Sequence, residues 1–92
     1  YIKRIGIAQF PNNTSLEVNT DLNVNEINVT DIKCLGYRNS DRTNITVPFI
    51  SMAGANIGLN TKVINNILYL LIETTIDRTG YTGWAEVSFI YK

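Results

Sequence analysis

Residue types that do chemistry are few in this chain, and they are scattered. There is no histidine, which removes the commonest general base and metal ligand. The single cysteine, Cys34, has no histidine to activate it and no second cysteine with which to hold zinc or close a disulfide. It sits on an alternating apolar face, where a small buried hydrophobe is expected. Carboxylates can work without histidine, as they do in glycosidases, and Asp21, Glu26, Asp31, Glu73 and Asp77 are candidates by type. Nothing in their spacing brings two of them together, and Asp21–Glu26 lacks the ligand density of a calcium loop. Gly54, Gly58, Gly80 and Gly83 do not make a phosphate-binding loop. No catalytic residue, metal ligand or cofactor is therefore expected. The richest stretch is the ending, IDRTGYTGWAEVSFIYK (Ile76 to Lys92). There Arg78, Tyr81 and Trp84 gather around Gly80 and Gly83. Tyr81 and Trp84 flank Gly83 in what reads as a loop, which suits sugar stacking or a subunit contact. These three are the candidate binding residues; Asp77 is expected to cap the turn or pair with Arg78.

The elements that must position them are read from periodicity. Asn and Thr make up roughly a quarter of the chain, a mix that suits short strands with tight turns. No helical i, i+3, i+4, i+7 pattern is sustained, whereas alternation recurs throughout. Lys3–Phe10, the segments around Leu16–Val18 and Leu22–Val24, and Ile27–Tyr37 all alternate, with a slip of period at Asp31. Ile45–Phe49 follows the polar turn RNSDR, and Pro48 marks an edge strand or a strand end. Ile57–Leu59 and Val63 form a strand pair around Asn60 and Thr61. Asn65-Asn66 is a tight turn into Ile67–Thr75. Asp77–Gly83 is a loop, and Trp84–Lys92 is the last strand, with Ala85, Val87, Phe89 and Tyr91 on one face. Seven to eight short strands at this spacing predict a small antiparallel, jelly-roll-like β-sandwich.

Size and charge bound the rest. The 92 residues form one domain, residues 1–92, with a thin core. The formal net charge is +0 and charged residues are 17% of the chain, which argues against nucleic acid as a partner. The longest apolar run, Ile67–Ile72, is far short of the ~20 residues of a spanning helix, so no membrane insertion is expected. A domain of this size without disulfides is expected either to mature in a reducing cytoplasm or to gain stability by oligomerising. A chain that starts at Tyr1 is expected to be the C-terminal part of something longer.

The ending also resembles the close of many bacteriophage virion domains: a polar Asp-Arg-Ser/Thr turn, an aromatic, Thr-Gly or Thr-Ala, then an alternating strand ending in aromatic-x-Lys. KRIGIAQFPNNT (Lys3–Thr14), Asn28–Leu35 with Gly36-Tyr37, VPFIS (Val47–Ser51) and NIGL (Asn56–Leu59) resemble that family's other segments in the same order. The chain departs at Ala85, where a larger β-branched residue is common, and at Ile90, where a polar one is. The family is that of tip or C-terminal domains of tail fibres, head fibres and receptor-binding proteins. The resemblance implies an all-β homotrimer in the virion, assembled in the bacterial host cytoplasm. It implies contacts with other virion proteins and with a host cell-surface glycan or protein; the scarcity of catalytic groups separately argues against an enzyme. Near-zero charge suits neutral glycans, with Asn39–Thr43, Ser51–Asn56 and Asp77–Gly83 as presenting loops. The alternative is a bacterial carbohydrate-binding or adhesin β-sandwich module. A small glycoside hydrolase fragment using Glu73 or Asp77 is a third reading.

Overall fold

The structure is a computed structural model that describes all residues, Tyr1–Lys92. Its strands are β1 (Ile2–Ile7), β2 (Ser15–Asn23), β3 (Ile27–Arg38), β4 (Asn44–Val47), β5 (Ile57–Ile64), β6 (Ile67–Thr74) and β7 (Tyr81–Tyr91). They form two antiparallel sheets, one ordered β1-β7-β3-β4 and the other β2-β6-β5. There is no helix, so none long and apolar enough to cross a membrane.

The core follows from alternation on the central strands. In β7, Gly83, Ala85, Val87 and Phe89 are buried, while Trp84, Glu86 and Ser88 between them are only partly covered. In β6, Leu68, Leu70, Ile72 and Thr74 are buried in the same rhythm. Successive side chains of a strand point to opposite faces, so these two sets meet between the sheets. Ile57, Leu70, Ile72 and Val87 are wholly enclosed, and each contributes roughly 1.5–3 kcal/mol by leaving water. Phe10 fills the space at one end of this core, although it lies beyond β1 in the loop to β2. A glycine pair, Gly36 opposite Gly83, makes room for it. A Cβ on Gly36 would stand 2.9 Å from the Phe10 ring, and one on Gly83 would stand 3.0 Å from it.

Several local expectations are corrected. The first strand stops at Ile7 rather than Phe10, because Pro11 and the ring of Phe10 take the chain across to the other sheet. Leu16, Val18 and Leu22 lie on one strand, β2, and Val24 falls in the turn that leads to β3. The register of β2 shifts between Asn19 and Asn23. There the Asn19 side chain accepts from the Asp21 N–H, and the Asp21 backbone is left-handed (φ 57°). The Thr20 hydroxyl replaces a ladder bond by donating to the Leu68 carbonyl at 2.7 Å. Ile57–Val63 is likewise part of one continuous strand, β5. The slip at Asp31 is real: β3 shifts register against β7 between Val29 and Asp31. The Asn65-Asn66 turn has positive φ at both residues (50° and 66°), which a two-residue hairpin of this hand requires and asparagine tolerates.

Candidate binding site

Arg38–Thr43 (the β3–β4 turn), Pro48–Asn56 (the β4–β5 loop) and Thr75–Gly80 (the β6–β7 loop) come together at one end of the sandwich. Each is built from its own sequence. In the first, Arg42 N–H donates to the Arg38 carbonyl at 2.8 Å and the Asp41 carboxylate accepts from Thr43 N–H at 3.0 Å. In the second, Phe49 and Ile57 exchange both backbone bonds at 2.8 Å, and the Asn56 side chain accepts from Ser51 N–H. In the third, Asp77 caps the turn, accepting from the Thr79 hydroxyl at 2.7 Å and its N–H at 2.9 Å. Asp77 makes no ion pair with Arg78. The two bonds from Thr79, the hydroxyl's first, hold the Asp77 carboxyl below its ordinary value.

Bonds between the loops lock them together. Asn39 N–H donates to the Gly80 carbonyl at 2.9 Å, and the Thr82 hydroxyl donates to the Asn39 side chain at 2.9 Å. Thr75 Oγ1 donates to the Gly54 carbonyl and accepts from Asn56 N–H. The Arg78 Nη2 donates to the Ala55 carbonyl at 2.7 Å, spanning the second and third loops.

Arg78 is the centre of this end. It is only 7% exposed, and its guanidinium stands 5.0 Å from the Tyr81 ring centroid and 5.6 Å from that of Phe49. Its Nη1 donates to the Tyr81 hydroxyl at 3.0 Å, and its Nε has no partner. No carboxylate pairs with it, since the ion pairs are Arg4–Glu86, Arg38–Asp41 and Lys62–Glu17. A buried guanidinium without a counter-charge is costly, and ring faces and a carbonyl offset only part of that cost. Arg38 approaches from the β3 side. Its Nε donates to the same Tyr81 hydroxyl at 3.4 Å and its Nη1 meets Asp41 at 3.2 Å. The Tyr81 bond first, then Asp41, hold Arg38 charged above its ordinary value. The Asp41 carboxyl is held below its own, chiefly by the Thr43 N–H and then the Thr43 hydroxyl. Around these groups lies a cavity of about 300 Å³, walled by Ile45, Phe49 and Ala55 and edged by Thr43, Asn44 and Ser51.

Of the residues singled out from sequence, Arg78 and Tyr81 therefore meet, and Trp84 does not join them. The reason is parity. The strand begins at Tyr81, not Trp84, so Gly83 is a buried strand residue rather than part of a loop. Tyr81 then lies on the inward face with Gly83 and Ala85, its ring 6.5 Å from that of Phe10, while Trp84 points outward. There the Arg4 guanidinium covers its ring at 4.4 Å and pairs with Glu86 at 2.7 Å. Trp84 lines a different concavity of about 310 Å³, beside Leu35, Lys33 and Thr46. Arg38 and Phe49 are members of the site that sequence reasoning missed. The only signal available was an arginine closing a strand beside a turn.

Burial pushes the Cys34 thiol up to about 11. Glu73 accepts from the Asn60 amide at 2.9 Å. No group of three or more His, Cys, Asp or Glu stands together to hold a metal ion. No protein-family model, curated protein or solved structure matches this chain.

Proposed function

We propose that this chain is the tip domain of a bacteriophage virion appendage, a tail or head fibre, that assembles as a trimer and attaches to the host surface. The observation that carries the reading is the loop end. Loops from both sheets are locked to one another around a concave surface, which suits non-covalent contact on a rigid scaffold. Many weak copies on one virion give avidity without a tight single site.

The opposite end supplies the second half of the argument. Tyr1, Ile2, Val29, Ile90 and Tyr91 are exposed there, and Tyr1, Phe89 and Tyr91 pack ring against ring at 4.9–5.8 Å. Register places Ile2 opposite Ser88, Asn28 opposite Ile90 and Ile27 opposite Tyr91, far along the sheet from Tyr81. An apolar group of this kind is what a self-assembling domain covers, along with its open strand edges. Other virion proteins would contact the same end.

One observation favours the second reading, a monomeric bacterial carbohydrate-binding or adhesin module. The cavity is complete within a single chain. Sedimentation velocity separates the two. The virion reading expects a species of about 31 kDa, three times the 10.3 kDa chain. A species that stays at 10.3 kDa up to high concentration would remove the trimer and favour the module.

A further inference from the structure

We infer that the cavity between Arg38, Arg78 and Tyr81 is a carboxylate site that takes a single acidic sugar ring. The donors there outnumber the acceptors. A guanidinium can only donate, so the Tyr81 hydroxyl accepts from both Arg78 Nη1 and Arg38 Nε. Its own proton is then left to give, and no acceptor in the chain takes it. Arg78 adds a positive charge that is nine-tenths buried, faces no carboxylate and leaves Nε unbonded. The nearest acid, Asp41, is already engaged by Arg38 and by the Thr43 N–H, and does not line the cavity. One uncompensated positive charge remains. A carboxylate balances it one for one, and its two coplanar oxygens match the guanidinium fork.

The shape points the same way. About 300 Å³ is the lower end of the range for small-molecule sites, room for one ring and not for an oligosaccharide. Ile45, Phe49 and Ala55 offer an apolar wall to a sugar's ring face, and Thr43, Asn44 and Ser51 offer partners to its hydroxyls. The zero net charge of the whole chain, which suggests neutral glycans, conceals this local imbalance. That the sugar belongs to a host surface rests on the attachment reading; carboxylate binding does not.

The test is titration of the ¹⁵N-labelled full chain with D-glucuronate, D-glucose and inorganic phosphate, read from amide shifts. D-Glucuronate is expected to move the amides of Ser51, Ala55, Arg78 and Tyr81 with millimolar affinity, and D-glucose is expected to leave them in place. Arg38→Gln sits on an exposed side chain and keeps the fold; it is expected to weaken glucuronate about tenfold, the value of one charge-assisted hydrogen bond. Tyr81→Phe keeps the ring on Phe10 and removes only the hydroxyl, with a similar loss. No shift at about 50 mM glucuronate, well above an ordinary weak-site Kd, overturns the inference. So do equal shifts with glucose, shifts with phosphate alone, or shifts that Arg38→Gln and Tyr81→Phe both leave unchanged. Binding of glucuronate by a protein that retains no bacterial polysaccharide would uphold this site and remove the attachment role. Retention without glucuronate binding would do the reverse.

Discussion

Replacing Gly83 by alanine is expected to cost a large share of this protein's stability, although it adds one methyl group. The new Cβ would collide with the Leu35 carbonyl oxygen and stand 3.0 Å from both the Gly36 Cα and the Phe10 ring. Two of those obstacles are backbone of β3, so relief means moving β3 away from the strand it pairs with from Ile27 to Arg38. Overpacking by a methylene costs about 1–3 kcal/mol, and the upper end applies where the neighbour cannot give. Losing one or two ladder hydrogen bonds adds about 1 kcal/mol each. The sum is about 3–5 kcal/mol, against a total of about 5–14 kcal/mol for a chain of this length. The melting temperature should fall by roughly 12 °C or more. The control is Gly80→Ala, where nothing lies within 4 Å of the added Cβ. It should leave stability unchanged or raise it by up to about 1 kcal/mol. Urea and thermal unfolding followed by far-UV circular dichroism measure both. If Gly83→Ala came within about 1 kcal/mol of the parent, or Gly80→Ala fell as far, the packing argument would fail.

Other consequences follow from single groups. Cys34 is buried and its thiol is pushed up to about 11, so a thiol reagent at pH 8 should label it only after denaturant is added. Because that folded value is raised, the stability it reflects is whole below pH 9.0 and is lost as pH rises toward 11, which alkaline unfolding curves would detect. Asp77 has the opposite sign. Its depressed folded value means stability present above pH 3.8 and lost as pH falls below it, and Asp77→Ala should flatten that part of an acid unfolding curve. Thr20→Val keeps the shape but leaves the Leu68 carbonyl and the Leu22 N–H without their side-chain partner. The expected cost is about 1–3 kcal/mol in urea unfolding, against near neutrality for an exposed threonine such as Thr61.

Alternation carried most of the fold. Ile67–Thr74 and the buried Ala85, Val87 and Phe89 could be placed because a half-buried strand writes its period directly into residue type. Polar residues doing backbone work hid the rest. Asn60 and Thr61 read as a turn but sit mid-strand, because β5 is an edge strand whose outer positions face water. The segment around Leu16–Val18 read as ordinary alternation, yet Asn19 and Thr20 just beyond it support a register shift. Gly83 read as loop because a glycine's room for a neighbouring strand is invisible without that strand. The site suffered from the same limit. Placing the start of β7 three residues late put Tyr81 and Trp84 in one loop, when strand parity sends them to opposite faces. Arg38 and Phe49 reach Arg78 only through pairings between distant segments.

The loop end, with Arg78 and Tyr81 at its heart, is the surface proposed to meet the host. Incubating the labelled protein with an array of purified bacterial surface polysaccharides tests this most directly. Retention is expected on polysaccharides that carry uronate as a terminal or branch residue, with loss of that retention in both Arg38→Gln and Tyr81→Phe while the fold stays intact. Retention on none of the array, or retention that is indifferent to both substitutions, would contradict it.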